Sequence, residues 1–453
     1  MIDMKKIDSG FKALSLMLAP VLIITFFTIT VSCYNKSKNK VVLRFFHWET
    51  ASGLQILKYL VNRYMEKNPG IRIEIIQGVS TQYESKLLSM FAANQPPDIF
   101  EVSSIDIPLY VSKDQVLGLS EFIDKYSDLA LTNFFPESMY FFQYDKNIIP
   151  GSGEIYGYPK DFSPTLTMYC NMRIFEECGV KPPEISLDEN ELAALLIKLT
   201  RRDKNKILTS IGYYPQSTYF FWWSIMCGNE PFSKDGTKLS IDNTNSFRGL
   251  RWLNSLKYTY RVVPNDADRE SVGNKEAFIG QGKIAILPQG RYMYPNIKIY
   301  SKDKWDVIPS FHFKGNPPMN FIFPACGWAI AKKTRHPEES VKFMNYLAGT
   351  EGSIMAARLG YNIPPIKKIA MSKLFFNRLG EEGRINRFFI KELEISKQFP
   401  YSPYISKSEL TRVIDQESQL MNRDKMPSDQ DIKKTLKTIE KSVNDIINVK
   451  MKN

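Results

Sequence analysis

Residues 41–53, VVLRFFHWETASG, begin the stretch that decides the fold. Val41 to Phe46 are apolar, branched and aromatic, the composition of a short strand, and they run into the polar HWETASG. A helix is expected next, because Leu57, Leu60, Val61 and Tyr64 recur at spacings of three and four and EKNPG, residues 66–70, supplies a stop. IRIEI, residues 71–75, alternates apolar and charged side chains as a half-buried strand does. YESKLLSMFAAN then places Tyr83, Leu87 and Phe91 on one helical face, QPP breaks it, and DIFEV, residues 98–102, reads as a third strand. The order β-α-β-α-β predicts a parallel sheet with crossover helices.

In open α/β sheets a ligand sits beyond the carboxyl ends of the strands. That rule singles out His47, Trp48 and Glu49 after the first strand, Gly78, Ser80 and Gln82 after the second, and Ser103, Ser104 and Asp106 after the third. Each of these also has a plain structural reading as a cap for the helix that follows.

Upstream of the first strand, Lys5, Lys6 and Lys12 precede an uncharged run, ALSLMLAPVLIITFFTITVS, residues 13–32, the layout of a secretory signal. The run is also just long enough to span a bilayer. It ends at Cys33, and the tripeptide Thr30-Val31-Ser32 resembles the lipobox of bacterial lipoproteins, with a threonine where the usual leucine stands. The resemblance implies a signal peptide over 1–32, lipid on Cys33 and a polar tether over 33–40. A chance cysteine in a signal peptide is the alternative.

The chain has 453 residues, 43% hydrophobic and 13% aromatic, enough for a sizeable core or for two lobes. Its formal charge of +12 is scattered among Asp and Glu rather than massed. Such a balance suits a solvated surface with some attraction to anionic headgroups, and the export leader argues against nucleic acid. Cys170, Cys178, Cys227 and Cys326 show no CxxC spacing and read as free thiols. Three histidines, His47, His312 and His336, without HExxH or a Cys/His cluster give no support to a metal site or a cofactor.

Further along come GEIYGYPKDFSPTLTMYCNMRIFEECGVKPP (153–183), FIGQGKIAILPQGRYMY (278–294) and HPEESVKFMNYLAGTEGS (336–353). Taken in order with the first three strands, these segments resemble the extracellular solute-binding proteins of ABC importers, in the carbohydrate-binding branch that includes maltose-binding protein. The resemblance spans nearly all of the chain from residue 41. It implies a two-lobed periplasmic-binding-protein fold of type II, each lobe a mainly parallel sheet flanked by helices, joined by a hinge. Lobe 1 would comprise 41–160 and 324–371, and lobe 2 would comprise 161–323 and 372–453, with hinge crossings at YGYPKDF, CGWAIAKK and YNIPPIKK. The implied molecule is a monomeric, non-catalytic lipoprotein on the outer side of a bacterial membrane, whose partners are a small carbohydrate and ABC permease subunits. The last stretch also reads on its own: Ser428 caps a helix in which Ile432, Leu436, Ile439, Val443 and Ile446 share a face packed on lobe 2.

Sugar recognition requires flat apolar faces for pyranose rings and planar polar groups for hydroxyls. TYFFWW (218–223) and GRYMY (290–294) supply the aromatics. By resemblance, Tyr219 and Trp222 fall at stacking positions, while Tyr292 and Tyr294 replace two tryptophans of a similar turn that also holds Arg291. Phe220, Phe221 and Trp223 read as core. The implied contacts on the other side are Trp48, Glu49, Ser80, Ser104 and Asp106, joined at the hinge by Lys160, Asp161 and Trp328. Tyr213-Tyr214 could instead suggest the tyrosine pair of iron-binding relatives. A glycosidase needs two facing carboxyl groups, and Glu176-Glu177 and Glu338-Glu339 read as solvated. A signalling receptor, or a site for a non-sugar polyol or phosphoester, remains an alternative that sequence does not separate.

Overall fold

The computed structural model describes residues 40–49, 51–79, 82–123, 125–215, 221–322, 325–360, 362–399, 401–418, 421 and 425–452. The leader with Cys33 and most of the tether, and also Ser80 and Tyr219, lie outside the described residues.

Ten strands form two five-stranded sheets. They are β1 (Val41–His47), β2 (Ile71–Gln77), β3 (Ile99–Ser103), β4 (Tyr158–Asp161), β5 (Met168–Asn171), β6 (Arg201–Arg202), β7 (Leu208–Tyr213), β8 (Ile284–Pro288), β9 (Trp305–Ile308) and β10 (Cys326–Ile330). The first sheet has the order β2-β1-β3-β10-β4 and the second β9-β5-β8-β7-β6. β1 pairs in parallel with β2 and β3, joined by helices Ala51–Lys67 and Tyr83–Ala92 where the apolar periodicity places them. β10 returns antiparallel between β3 and β4. A Cβ on Gly327 would sit 2.3 Å from the Tyr158 carbonyl, so these two hinge-side strands approach closely only because that residue is glycine.

The second sheet departs from the mainly parallel pairing that was expected. β5 enters from the hinge running against its neighbours and inserts between β8 and β9, and the two-residue β6 closes the edge antiparallel, leaving β7 and β8 as the parallel pair. β8, IAILP, is buried throughout, as a central strand covered on both faces must be.

Helix Asp429–Lys452 starts as read: Ser428 Oγ accepts from the Asp431 N–H at 3.1 Å, and the Asp431 carboxylate accepts from the Ser428 N–H at 3.1 Å. Ile432, Leu436, Ile439 and Val443 are buried in the second core. The stripe continues through Ile447 rather than Ile446, because four residues beyond Val443 returns to the buried face. Among the described residues no helix is long and apolar enough to cross a membrane.

Candidate functional site

β3 has the sequence IFEVS and all five residues are buried, so its glutamate, Glu101, is a charge inside an otherwise apolar strand. Such a group needs a partner. It comes from β4, whose Lys160 ammonium contacts the carboxylates of Glu101 and Glu49 and lies 3.7 Å from that of Asp161. The second Glu101 oxygen accepts from the Trp48 N–H at 3.1 Å, which fixes the loop after β1. The Glu49 N–H in turn donates to His47 Nδ1 at 3.0 Å. Glu49 reaches back over the start of helix Ala51–Lys67, where a Cβ on Gly53 would come within 1.8 Å of its carboxylate oxygen. The positive end of that helix suits an anion there.

Three carboxylates thus surround one ammonium, and all four groups are largely removed from water. Burial drives their titration. Desolvation pushes the Glu101 carboxyl up, with Lys160 opposing, and pushes Asp161 up to about 6, again against Lys160. Desolvation also lowers the His47 imidazole to about 4, so the ring is neutral at pH 7. A cavity of about 50 Å³ lies beside the cluster, lined by Glu49, Lys160, Asp161, Trp328 and Asn362 among others. Trp328 Nε1 and His47 Nε2 are buried and have no hydrogen-bond partner among the described residues. A buried donor in that position is matched by a water or a ligand hydroxyl. The cluster therefore offers planar acceptors, an ammonium and an indole N–H at the carboxyl ends of the strands.

Of the residues singled out in the sequence, the structure brings Trp48, Glu49, Lys160, Asp161 and Trp328 together here. Ser104 lies in the loop after β3, buried, its N–H donating to the Ala325 carbonyl at 2.8 Å. Asp106, half-buried in the same loop, accepts from the Lys407 N–H at 3.4 Å at the start of helix Lys407–Ser418, and burial next to Glu84 raises its carboxyl.

The opposite side differs from expectation. Trp222 is 2% exposed in a short helix, Trp222–Met226, that is buried all round, and its ring packs edge-on against Phe311. It is core, as Phe221 and Trp223 were expected to be, and offers no face to a sugar in this conformation. Arg291 has no exposed surface: its guanidinium donates to Asn386, to the Gly360 carbonyl and to Glu382 at 2.6 to 2.8 Å, and stacks over Tyr294. Tyr294 is buried with it, its hydroxyl donating to Glu381 at 2.9 Å. Trp222 and Tyr294 were placed at the ligand by resemblance and Arg291 by its place in the same turn as Tyr294, and the partners of Arg291, ninety residues or so further on, were out of view. Tyr292 stays half-buried, its hydroxyl donating to Gln289 at 2.8 Å. Tyr213 and Tyr214 are core residues, which removes the metal-binding reading of that pair. Glu101 was missed, although an acid set between apolar residues in IFEV, residues 99–102, was a usable signal.

Two sheets linked by several chain crossings, with polar groups gathered at the carboxyl ends of the first, define a two-lobed binding protein. The chain belongs to the bacterial extracellular solute-binding proteins, whose family profile matches residues 47–354. This is a family of solute binders rather than catalysts. Among solved structures it is similar to an ABC substrate-binding protein from Listeria monocytogenes in complex with cycloalternan, at 20% identity over 89% of this chain and 99% of that one, with a TM-score of 0.77. It is similar to the maltose/maltodextrin-binding domain from Bdellovibrio bacteriovorus bound to maltotriose, at 17% identity over 89% and 100% of the two chains and a TM-score of 0.71. A solute-binding protein from Thermotoga lettingae bound with alpha-D-tagatose gives 18% identity, 90% and 99% coverage and a TM-score of 0.72.

Proposed function

We propose that this protein captures a neutral sugar or oligosaccharide between its lobes and delivers it to an ABC import permease, anchored to the membrane by lipid on Cys33. The observation that carries the reading is the buried Glu49–Lys160–Asp161 cluster beside the unpartnered Trp328 indole, a hydroxyl-binding chemistry placed where an open α/β sheet presents its ligands. The likeness in fold to proteins solved with cycloalternan, maltotriose and tagatose points the same way. On the far side the half-buried Tyr292 is the proposed sugar contact, and the resemblance to the family's stacking positions adds Tyr219, which lies outside the described residues. Lobe 1 takes 41–160 and 324–371, lobe 2 takes 161–323 and 372–453, and the protein acts as a monomer. Three acids on one lysine disfavour a phosphorylated ligand, so the phosphoester reading recedes.

A thermal-shift screen tests this. Ligand that binds only the folded state raises its stability by about 2.7 kcal/mol at a hundredfold excess over Kd. A neutral mono- or oligosaccharide should raise the melting temperature, and sugar phosphates should not. A panel in which no saccharide shifts it, or in which only the phosphates do, contradicts the reading.

A further inference from the structure

The first lobe has a second polar feature at the other ends of its strands. Where β1 and β3 begin, a groove of about 530 Å³ is lined by Arg44, Gln95, Asp98, Lys333, Arg335 and His336 among others. Its charge is one-sided. Arg44 Nη1 donates to the carbonyls of Gln95 and Pro96 at 3.2 and 3.1 Å, and Lys333 Nζ to the Asn94 amide oxygen at 2.7 Å. Among the described residues no ion pair engages Arg44, Lys333 or Arg335. Asp98, the acid in the groove, is consumed internally by the Arg44 N–H and the Thr334 hydroxyl. Asp114 and Glu338 each hold a lysine of their own, Lys332 and Lys125.

The chain enters the lobe at this same face. Lys40 precedes β1 and Val42 itself lines the groove. The tether that ends there carries Lys36, Lys38 and Lys40, and its seven residues after Cys33 reach about 25 Å at most. A lipid on Cys33 would therefore hold this face, and not the ligand site, next to the bilayer.

We propose that this face docks on the anionic phospholipid headgroups of the membrane that anchors the chain, with Arg44, Lys333 and Arg335 on their phosphates. The inference rests on the anchored reading given above. Docked this way, the cleft at the far ends of β1 and β3 points away from the bilayer towards incoming solute. Each basic side chain near an anionic surface strengthens attachment about fivefold at moderate salt, and the attraction fades within a Debye length of about 8 Å. Three cations without acid partners thus give a reversible hold that the protein leaves to meet a permease.

The test uses the full chain with its anchor, placed in phosphatidylcholine vesicles with or without phosphatidylglycerol, and reads amide hydrogen exchange. Segments 91–98 and 331–336 should exchange more slowly only with phosphatidylglycerol, and the slowing should vanish in high salt. Lys333→Gln with Arg335→Gln should lower the docked-to-free ratio about 25-fold, two residues at about fivefold each. Exchange in 103–112, at the cleft, should not respond. Equal exchange in both lipids overturns the proposal. So does slowing produced by inorganic phosphate over phosphatidylcholine alone, which would make the groove a site for a free anion. Fatty-acid labelling of wild type and Cys33→Ser separates the two readings: lipid-dependent slowing in a chain not labelled at Cys33 overturns the anchor and supports the docking face, whereas a labelled chain without slowing does the reverse.

Discussion

The first sheet gathers Glu49, Glu101 and the hinge residue Asp161 around Lys160, with little contact with water. On the second lobe the matching stretches hold Trp222, Arg291 and Tyr294, and each is built into the interior. Residue type alone would rank the two sides the other way round, since aromatics are the usual mark of a sugar site. The difference teaches that burial has to be read together with satisfaction. Trp222 packs on Phe311 and Arg291 has an acceptor for each guanidinium nitrogen, whereas beside the Lys160 cluster the Trp328 indole N–H has no hydrogen-bond partner among the described residues.

The contrast breaks most readily at Lys160. Lys160→Met strands three buried carboxylates and should cost about 3 to 5 kcal/mol of stability in urea unfolding at pH 8. Because Glu101 and Asp161 are already pushed up by burial, the cost should shrink at pH 5, where protonation relieves them. Trp222→Ala should cost a similar 3 to 5 kcal/mol by leaving a cavity, with no such pH dependence. Equal pH responses would erase the distinction between the two sides.

A second effect, on the order of 2 to 3 kcal/mol, comes from His47. Its folded value of about 4 lies below the ordinary 6.5, so the unfolded chain takes up a proton first and stability falls as pH drops from about 6.5 towards 4. Asp161 works in the opposite sense: its carboxyl, raised to about 6 by burial, favours the fold when protonated, and that gain is lost as pH rises from about 4 towards 6. His47→Asn keeps an acceptor for the Glu49 N–H and does not titrate. Thermal melts of this variant should lose less between pH 7 and pH 5 than those of the wild type; an identical loss would show that His47 is not the acid-sensitive group.

Smaller changes sharpen the second lobe. Tyr292→Ala should weaken sugar binding about 5- to 150-fold by calorimetry, the loss of roughly 1 to 3 kcal/mol of ring contact, while unfolding shifts by less than about 1 kcal/mol. Binding within twofold of wild type would remove Tyr292 from the site. Ser428→Ala, remote from the cleft, should cost only about 1 kcal/mol through the lost cap and leave affinity unchanged.

The first lobe was legible in the sequence because its periods are clean: two-residue alternation in IRIEI and the 57, 60, 61, 64 spacing fix both element type and buried face. The second sheet was less so, since the insertion of β5 between β8 and β9 depends on pairings made across more than a hundred residues. Glu49, Lys160, Asp161 and Trp328 were placed from strand ends and hinge position. Glu101 hid inside a strand that otherwise reads as apolar core. Arg291 misled because a turn after a strand predicts exposure, whereas Asn386 and Glu382 come from a helix, Gly380–Glu392, that the reading did not connect to it.

The central claim is that a sugar held between the lobes stabilises their closed arrangement, which is tested most directly by small-angle scattering with and without the saccharide that raises the melting temperature. Differential affinity for the closed form should draw the lobes together and reduce the radius of gyration on saturation. Superimposable profiles at saturating sugar would contradict it.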